Sequence, residues 1–166
     1  MPKTFMATAV DTGAYEGGCG HDTYPSLCIH PGYKAAVGAR LALGARNVAL
    51  GETSAYFSGP IFDSARAIGA KLEIKFRSAG VDGITVREKV GFEIGVGAEG
   101  AEKWTAATVV SSTNTSVTLA PSPARAAAVR YLWSMSPCTH PHGAIGNCSV
   151  YASKEGLPTT PFVHRV

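Results

Sequence analysis

Several things are scarce in these 166 residues. Charged side chains make up only 16% of the chain, and its 15 Lys and Arg residues are scattered without a run. With a net charge of +3, that argues against a nucleic-acid or membrane-surface patch. No apolar stretch approaches the roughly 18–20 residues that span a bilayer. The opening, Met1 to Val10, has no long apolar core and no cleavage site of a signal peptide. Read as a true start, that end predicts a cytosolic chain; read as an internal stretch, it fits a secreted protein equally. No Gly-x-Ser-x-Gly elbow and no Gly-Asp-Ser block occurs, so no serine is marked as a nucleophile. Ser26, Ser54, Ser58 and Ser64 read as turn or strand-start residues.

Cysteine is sparse but paired. Cys19 with Cys28 and Cys138 with Cys148 form two local couples, although four cysteines allow three pairings. Each couple would close a loop rich in Gly and Pro. Two glycosylation sequons begin at Asn114 and Asn147. Paired cysteines and sequons together predict an oxidising compartment, either secreted or lysosomal. Cys138, His140, His142 and Cys148 also suggest a zinc set. Their spacing is unfamiliar and Pro141 stiffens it, so a disulfide-closed loop is preferred and no metal is expected.

Abundant apolar residues, 45% of the chain, place it among globular proteins. Residues 4–10 read as a short strand compatible with burial on both faces, with Asp11 at its end. A long Gly-rich loop follows over residues 12–29, and loops of that length are usually functional or disordered. His30 and Pro31 close it. A helical period then runs from about Gly32 to Ala49, with Val37, Leu41, Ala45 and Val48 on one stripe. Arg40 and Asn47 share another face. Lys34, Arg40 and Arg46 read as solvated. Gly38 and Gly44 permit close packing against a sheet, and Gly51 is the expected stop.

Beyond Gly59-Pro60 the texture becomes β-like. Lys71–Arg77 alternates, with Leu72, Ile74 and Phe76 on one face. Further strands are expected at Phe92–Val96, Thr105–Ser111, Ser116–Ala120 and Ala127–Trp133. Alternation places Tyr131 and Trp133 on one face and Arg130 opposite; the two aromatics are read as sandwich core in preference to a sugar-stacking patch. The stretch from Gly156 to Phe162 reads as a proline-rich cover over a sheet edge. The fold expected is therefore an α/β remnant over residues 1–55 and an antiparallel β-sandwich over residues 56–166. The first piece is too short for its own core, which points to missing upstream sequence or to a partner.

His30 is the strongest candidate for chemistry. A loop histidine between a strand and a helix can reach a cleft and serve as general base, then general acid. Its surroundings resemble a known family. Thr4-Phe-Met-Ala-Thr-Ala-Val-Asp11, Cys28-Ile-His30-Pro-Gly-Tyr-Lys34, Val37-Gly-Ala-Arg-Leu41 and Gly44-Ala-Arg-Asn-Val-Ala-Leu-Gly-Glu52 look like the sialate O-acetylesterases. So do Gly59-Pro60, Val129-Arg-Tyr-Leu-Trp133 and Gly156-Leu-Pro-Thr-Thr-Pro-Phe162, in the same order. Residues 61–125 match only as strand texture.

The resemblance implies an SGNH-type hydrolase domain followed by a β-sandwich, acting without metal or cofactor. It implies serine-dependent hydrolysis of acetyl esters on sialic acid or another acetylated sugar, with His30 as the catalytic histidine. The nucleophilic serine would then lie in an upstream segment outside these residues. Many SGNH enzymes place an Asp three residues before the His, where this chain has Leu27. Asp11 and Asp22 remain as the acids able to orient His30, Asp11 being preferred because a strand end fixes it. A backbone carbonyl is another possibility, as is Asp11 bonding only turn amides. The alternative is a non-catalytic β-sandwich, structural or glycan-binding, with a vestigial His loop.

Overall fold

The computed structural model describes residues 3–12, 33–77, 83–120, 126–134, 137–138, 145 and 147–166. His30, Asp22, Cys19 and Cys28 lie outside the described residues, as do Ser26, His140 and His142. Among the described residues the elements are α1 (Lys34–Gly44), which runs on into a π-helical turn (Ala45–Ala49), then nine strands. These are β1 (Ile61–Ile68), β2 (Lys71–Arg77), β3 (Ile84–Val86), β4 (Phe92–Val96), β5 (Lys103–Ser112), β6 (Ser116–Ala120), β7 (Ala128–Tyr131), β8 (Val150–Ala152) and β9 (Phe162–Arg165). Among the described residues no helix is long and apolar enough to cross a membrane.

Seven strands form one sheet in the order β1-β2-β6-β5-β4-β7-β9, every pair antiparallel. The expected sandwich is thus a single curling sheet. β5 explains the difference. Its first half, Lys103–Ala107, pairs with β4, and its second half, Thr108–Ser112, pairs with β6 across a bulge. A bulge bends its strand and raises the local twist, so the sheet turns over at β5 and its two halves enclose one core. The edge strands then approach each other. Phe62 of β1 lies 4.6 Å, ring to ring, from both Phe162 and His164 of β9, and the sheet is nearly a closed barrel. β3 and β8 make a separate antiparallel pair.

The alternation of β2 is realised: Leu72, Ile74 and Phe76 are buried and their neighbours face out or sit at the margin. Phe92 and Ile94 of β4, Val117 and Leu119 of β6, and Val129 and Tyr131 of β7 meet them in the core. β1, β3, β8 and β9 escaped the sequence reading. β1 and β9 are edge strands with little burial, and β3 and β8 are three residues each, too short for a period to register.

Four expectations are corrected. Residues 4–9 join no sheet among the described residues, because apolar side chains alone do not supply the neighbouring ladder a strand requires. Trp133 is 55% exposed, not core. β7 ends at Tyr131 and Leu132 has φ 53°, so alternation stops before the tryptophan is reached. Arg130 does face opposite Tyr131, where it pairs with Glu93 of β4 and lies over the Trp104 ring. On α1 the buried positions are Arg40 and Gly44, while Leu41 is 45% exposed. Arg40, expected in solvent, turns inward, and of the apolar stripe Leu41 faces out while Val37, Ala45 and Val48 are half-buried.

Close approach explains that choice. Phe5 lies against α1 at Gly44, where a Cβ would overlap its ring. Phe5 also meets Phe57 edge to face at 6.1 Å. Gly51 ends the helical stretch at φ 75°, the left-handed stop expected of it. The Gly156–Pro161 segment runs along the free edge of β8, with Ala152 N–H donating to Leu157 O and Thr159 N–H to Val150 O, both at 2.9 Å.

Candidate functional site

Asp11 is the one sequence-selected acid among the described residues, and it is fully buried. A carboxylate out of water needs donors on both oxygens. Arg40 supplies a fork: Nη1 donates to Oδ1 at 2.6 Å and Nη2 to Oδ2 at 2.8 Å. The Tyr151 hydroxyl donates to Oδ2 at 3.2 Å. Arg40 Nη1 also donates to the Thr8 carbonyl at 2.8 Å. Beneath this, Thr12 tightens the turn, its N–H and hydroxyl both bonding to Ala9 O at 3.0 and 2.7 Å.

Three parts of the chain therefore converge. Asp11 comes from the N-terminal segment, Arg40 from the second turn of α1, and Tyr151 from β8. A further bond, between the hydroxyls of Thr8 and Thr160 at 2.8 Å, ties the same segment to the stretch after β8. Tyr151 is itself held from two sides. Its hydroxyl accepts the Cys148 N–H at 3.0 Å, and the Arg87 guanidinium lies 3.7 Å over its ring. Burial pushes the Tyr151 phenol up to about 12, and the neighbouring Asp11 carboxylate reinforces this. The phenol is therefore neutral and able to donate at ordinary pH. Tyr131 is raised further by burial, and its hydroxyl accepts the Val150 N–H at 3.0 Å.

Cys148 is joined to Cys138, with Cα atoms 4.5 Å apart. This disulfide was the expected pairing, and it removes both thiols from a zinc set. Asn114 lies exposed between β5 and β6, whereas Asn147 is half-buried. Ser149, which completes the second sequon, is buried with its hydroxyl donating to the Val90 carbonyl. Two shallow surface grooves are lined by Ser64, Arg66, Glu73 and Lys75, and by Glu99, Glu102, His164 and Arg165. Neither includes Asp11, Arg40 or Tyr151.

Sequence reasoning singled out Asp11 but missed both of its partners. Arg40 carried a usable signal, sharing a face with Asn47, whose amide donates to the carbonyls of Glu52 and Ala55. Tyr151 carried none, since its role depends on β8 passing the N-terminal segment.

The arrangement defines an antiparallel β domain with a helical lead-in bonded to it through a buried acid. Residues 64–166 match the family model described as the sialate O-acetylesterase C-terminal domain, and the chain belongs to the sialate O-acetylesterase family. It is 32% identical over 165 residues to the sialate O-acetylesterase of Pongo abelii, covering 98% of this chain and 29% of that protein. Against the sialate O-acetylesterase of Mus musculus it is 32% identical over 168 residues, covering 100% and 29%. A solved structure of a carbohydrate acetylesterase from Xanthomonas citri is similar at a TM-score of 0.66 and 31% identity, covering 95% of this chain and 32% of that one. The chain thus spans 29% of the length of these curated relatives.

Proposed function

We propose that this chain is the C-terminal part of a carbohydrate O-acetylesterase that hydrolyses acetyl esters on sialic acid or a related sugar. One observation carries the reading. Likeness to sialate O-acetylesterases extends over 98–100% of the chain, beyond the residues 64–166 of the C-terminal domain match. It therefore takes in the residues before 64, where Ile29-His30-Pro31 lies.

In this reading residues 1–55 finish an SGNH-type catalytic domain and residues 56–166 form its β domain. A serine from an upstream segment attacks the acetyl carbonyl. His30 takes its proton and passes it to the departing sugar oxygen, and water then releases acetate by the same relay. Of the two acids the sequence offers to orient the imidazole, Asp22 and Asp11, the second already holds Arg40 and Tyr151. The exposed apolar side chains Met6, Leu41 and Leu50 fit a lead-in that the catalytic part would cover. The Cys138–Cys148 disulfide and the exposed Asn114 sequon fit a secreted or lysosomal setting.

The test is acetate release from an O-acetylated sialic acid by this chain alone and by the chain extended upstream. The extended form is expected to be active and the short form silent. His30→Ala in the extended form is expected to lower turnover about a thousand-fold or more. Near-normal turnover in that variant would remove His30 from the mechanism. Activity in the short chain would place the nucleophile within these residues, with Ser26 the first to mutate. Silence in both would favour the non-catalytic β module.

A further inference from the structure

The buried acid lies at a telling place in the chain. Asp11 stands immediately before the Gly-rich stretch of residues 12–29 that leads to His30. Arg40 stands ten residues after His30, on α1. The Asp11–Arg40 fork therefore joins the two sides of that stretch at one point. Tyr151 ties the same point to β8. Its hydroxyl has a fixed direction because it also accepts the Cys148 N–H, and Cys148 is held by the disulfide.

Asp11 is also heavily engaged. It takes three hydrogen bonds, two of them from the planar guanidinium in the bidentate geometry a carboxylate prefers. Its surface is closed to solvent. This is the environment of a carboxylate used as an anchor.

We propose that Asp11, Arg40 and Tyr151 are positioning residues of the esterase. They set where both flanks of the His30 stretch stand relative to the β domain, with Asp11 acting through that anchor and not as the acid of the catalytic relay. This rests on the catalytic reading of His30 given above. Its consequence is that the β domain contributes to turnover through Tyr151, although Tyr151 touches no reacting atom. Small displacements of a catalytic group cost rate steeply, about a hundred-fold for 1 Å, so a loosened anchor shows in kcat.

The experiment uses the extended enzyme and an O-acetylated sialic acid, with wild type and His30→Ala as the reference pair. Tyr151→Phe keeps the ring and removes the hydroxyl. It is expected to lower kcat about ten-fold, with KM and the pH midpoint of kcat/KM in place. Arg40→Lys, which keeps the charge and loses the fork, is expected to behave alike. Asp11→Asn combined with Tyr151→Phe is expected to be no slower than Asp11→Asn alone, as members of one unit are not additive.

Wild-type turnover by Tyr151→Phe, while His30→Ala is dead, would overturn the proposal and leave the catalytic reading standing. So would a Tyr151→Phe enzyme that only melts earlier, with kcat per folded molecule intact. A fall in the pH midpoint in Asp11→Asn alone would show Asp11 acting on the imidazole directly, and would also overturn it. An extended wild type that releases no acetate would remove the catalytic reading, and this proposal with it.

Discussion

Around Asp11 the bonding is all-or-none. Breaking a buried pair strands a charge in a medium that cannot solvate it. Arg40→Ala is expected to cost about 3–5 kcal/mol, read by chemical denaturation. The phenols make a second prediction. Tyr151 is raised from 10.0 to about 12 in the folded chain, so the native state holds its proton more tightly than the unfolded state. Their stabilising contribution is complete below about pH 10 and is lost as pH rises towards 12. Each such group steepens the loss by up to about 1.4 kcal/mol per pH unit. Tm measured from pH 9 to 11.5 is expected to fall, and Tyr151→Phe is expected to make the fall shallower. A profile identical to wild type would show that Tyr151 is not among the groups responsible.

Among elements, β2 was fully legible in the sequence and α1 only half so. β2 lies between β1 and β6 with one side of the sheet buried, so alternation of Leu72, Ile74 and Phe76 states its orientation. Ile74→Ala is expected to cost about 2–5 kcal/mol. Ile68→Ala at the exposed end of β1 is expected to cost about 1 kcal/mol or less. Equal losses in urea titrations would contradict this core assignment. The extent of α1 was readable from its period and its glycine stop, but its inward face was not. Of its apolar stripe Leu41 is exposed and Val37, Ala45 and Val48 are half-buried, while the face with Gly44 is the one buried, where Phe5 comes close enough to bring Arg40 to Asp11.

For the whole molecule, the Cys138–Cys148 link closes a short loop next to the strand that bears Tyr151. Replacing both cysteines by serine is expected to cost about 2–3 kcal/mol. If Tyr151 is held in part by Cys148, the same change in the extended enzyme lowers kcat as well as Tm. A change in Tm alone would separate the disulfide from the Asp11 anchor.

The sequence by itself determined the antiparallel β character, the placing of five strands, the reach of the helix, the local cysteine pair and the family. These follow from alternation, turn residues and short spacings, which act between near neighbours. Tertiary structure alone decided that one curling sheet replaces two stacked ones, because that depends on where β5 changes partners. It also decided that Trp133 stays in solvent, that Arg40 turns inward, and that Tyr151 completes the bonds of Asp11. Asp11 and Tyr151 stand 140 residues apart. A hydrogen bond between them leaves no periodic trace, because it exists only once β8 and the N-terminal segment have been packed side by side.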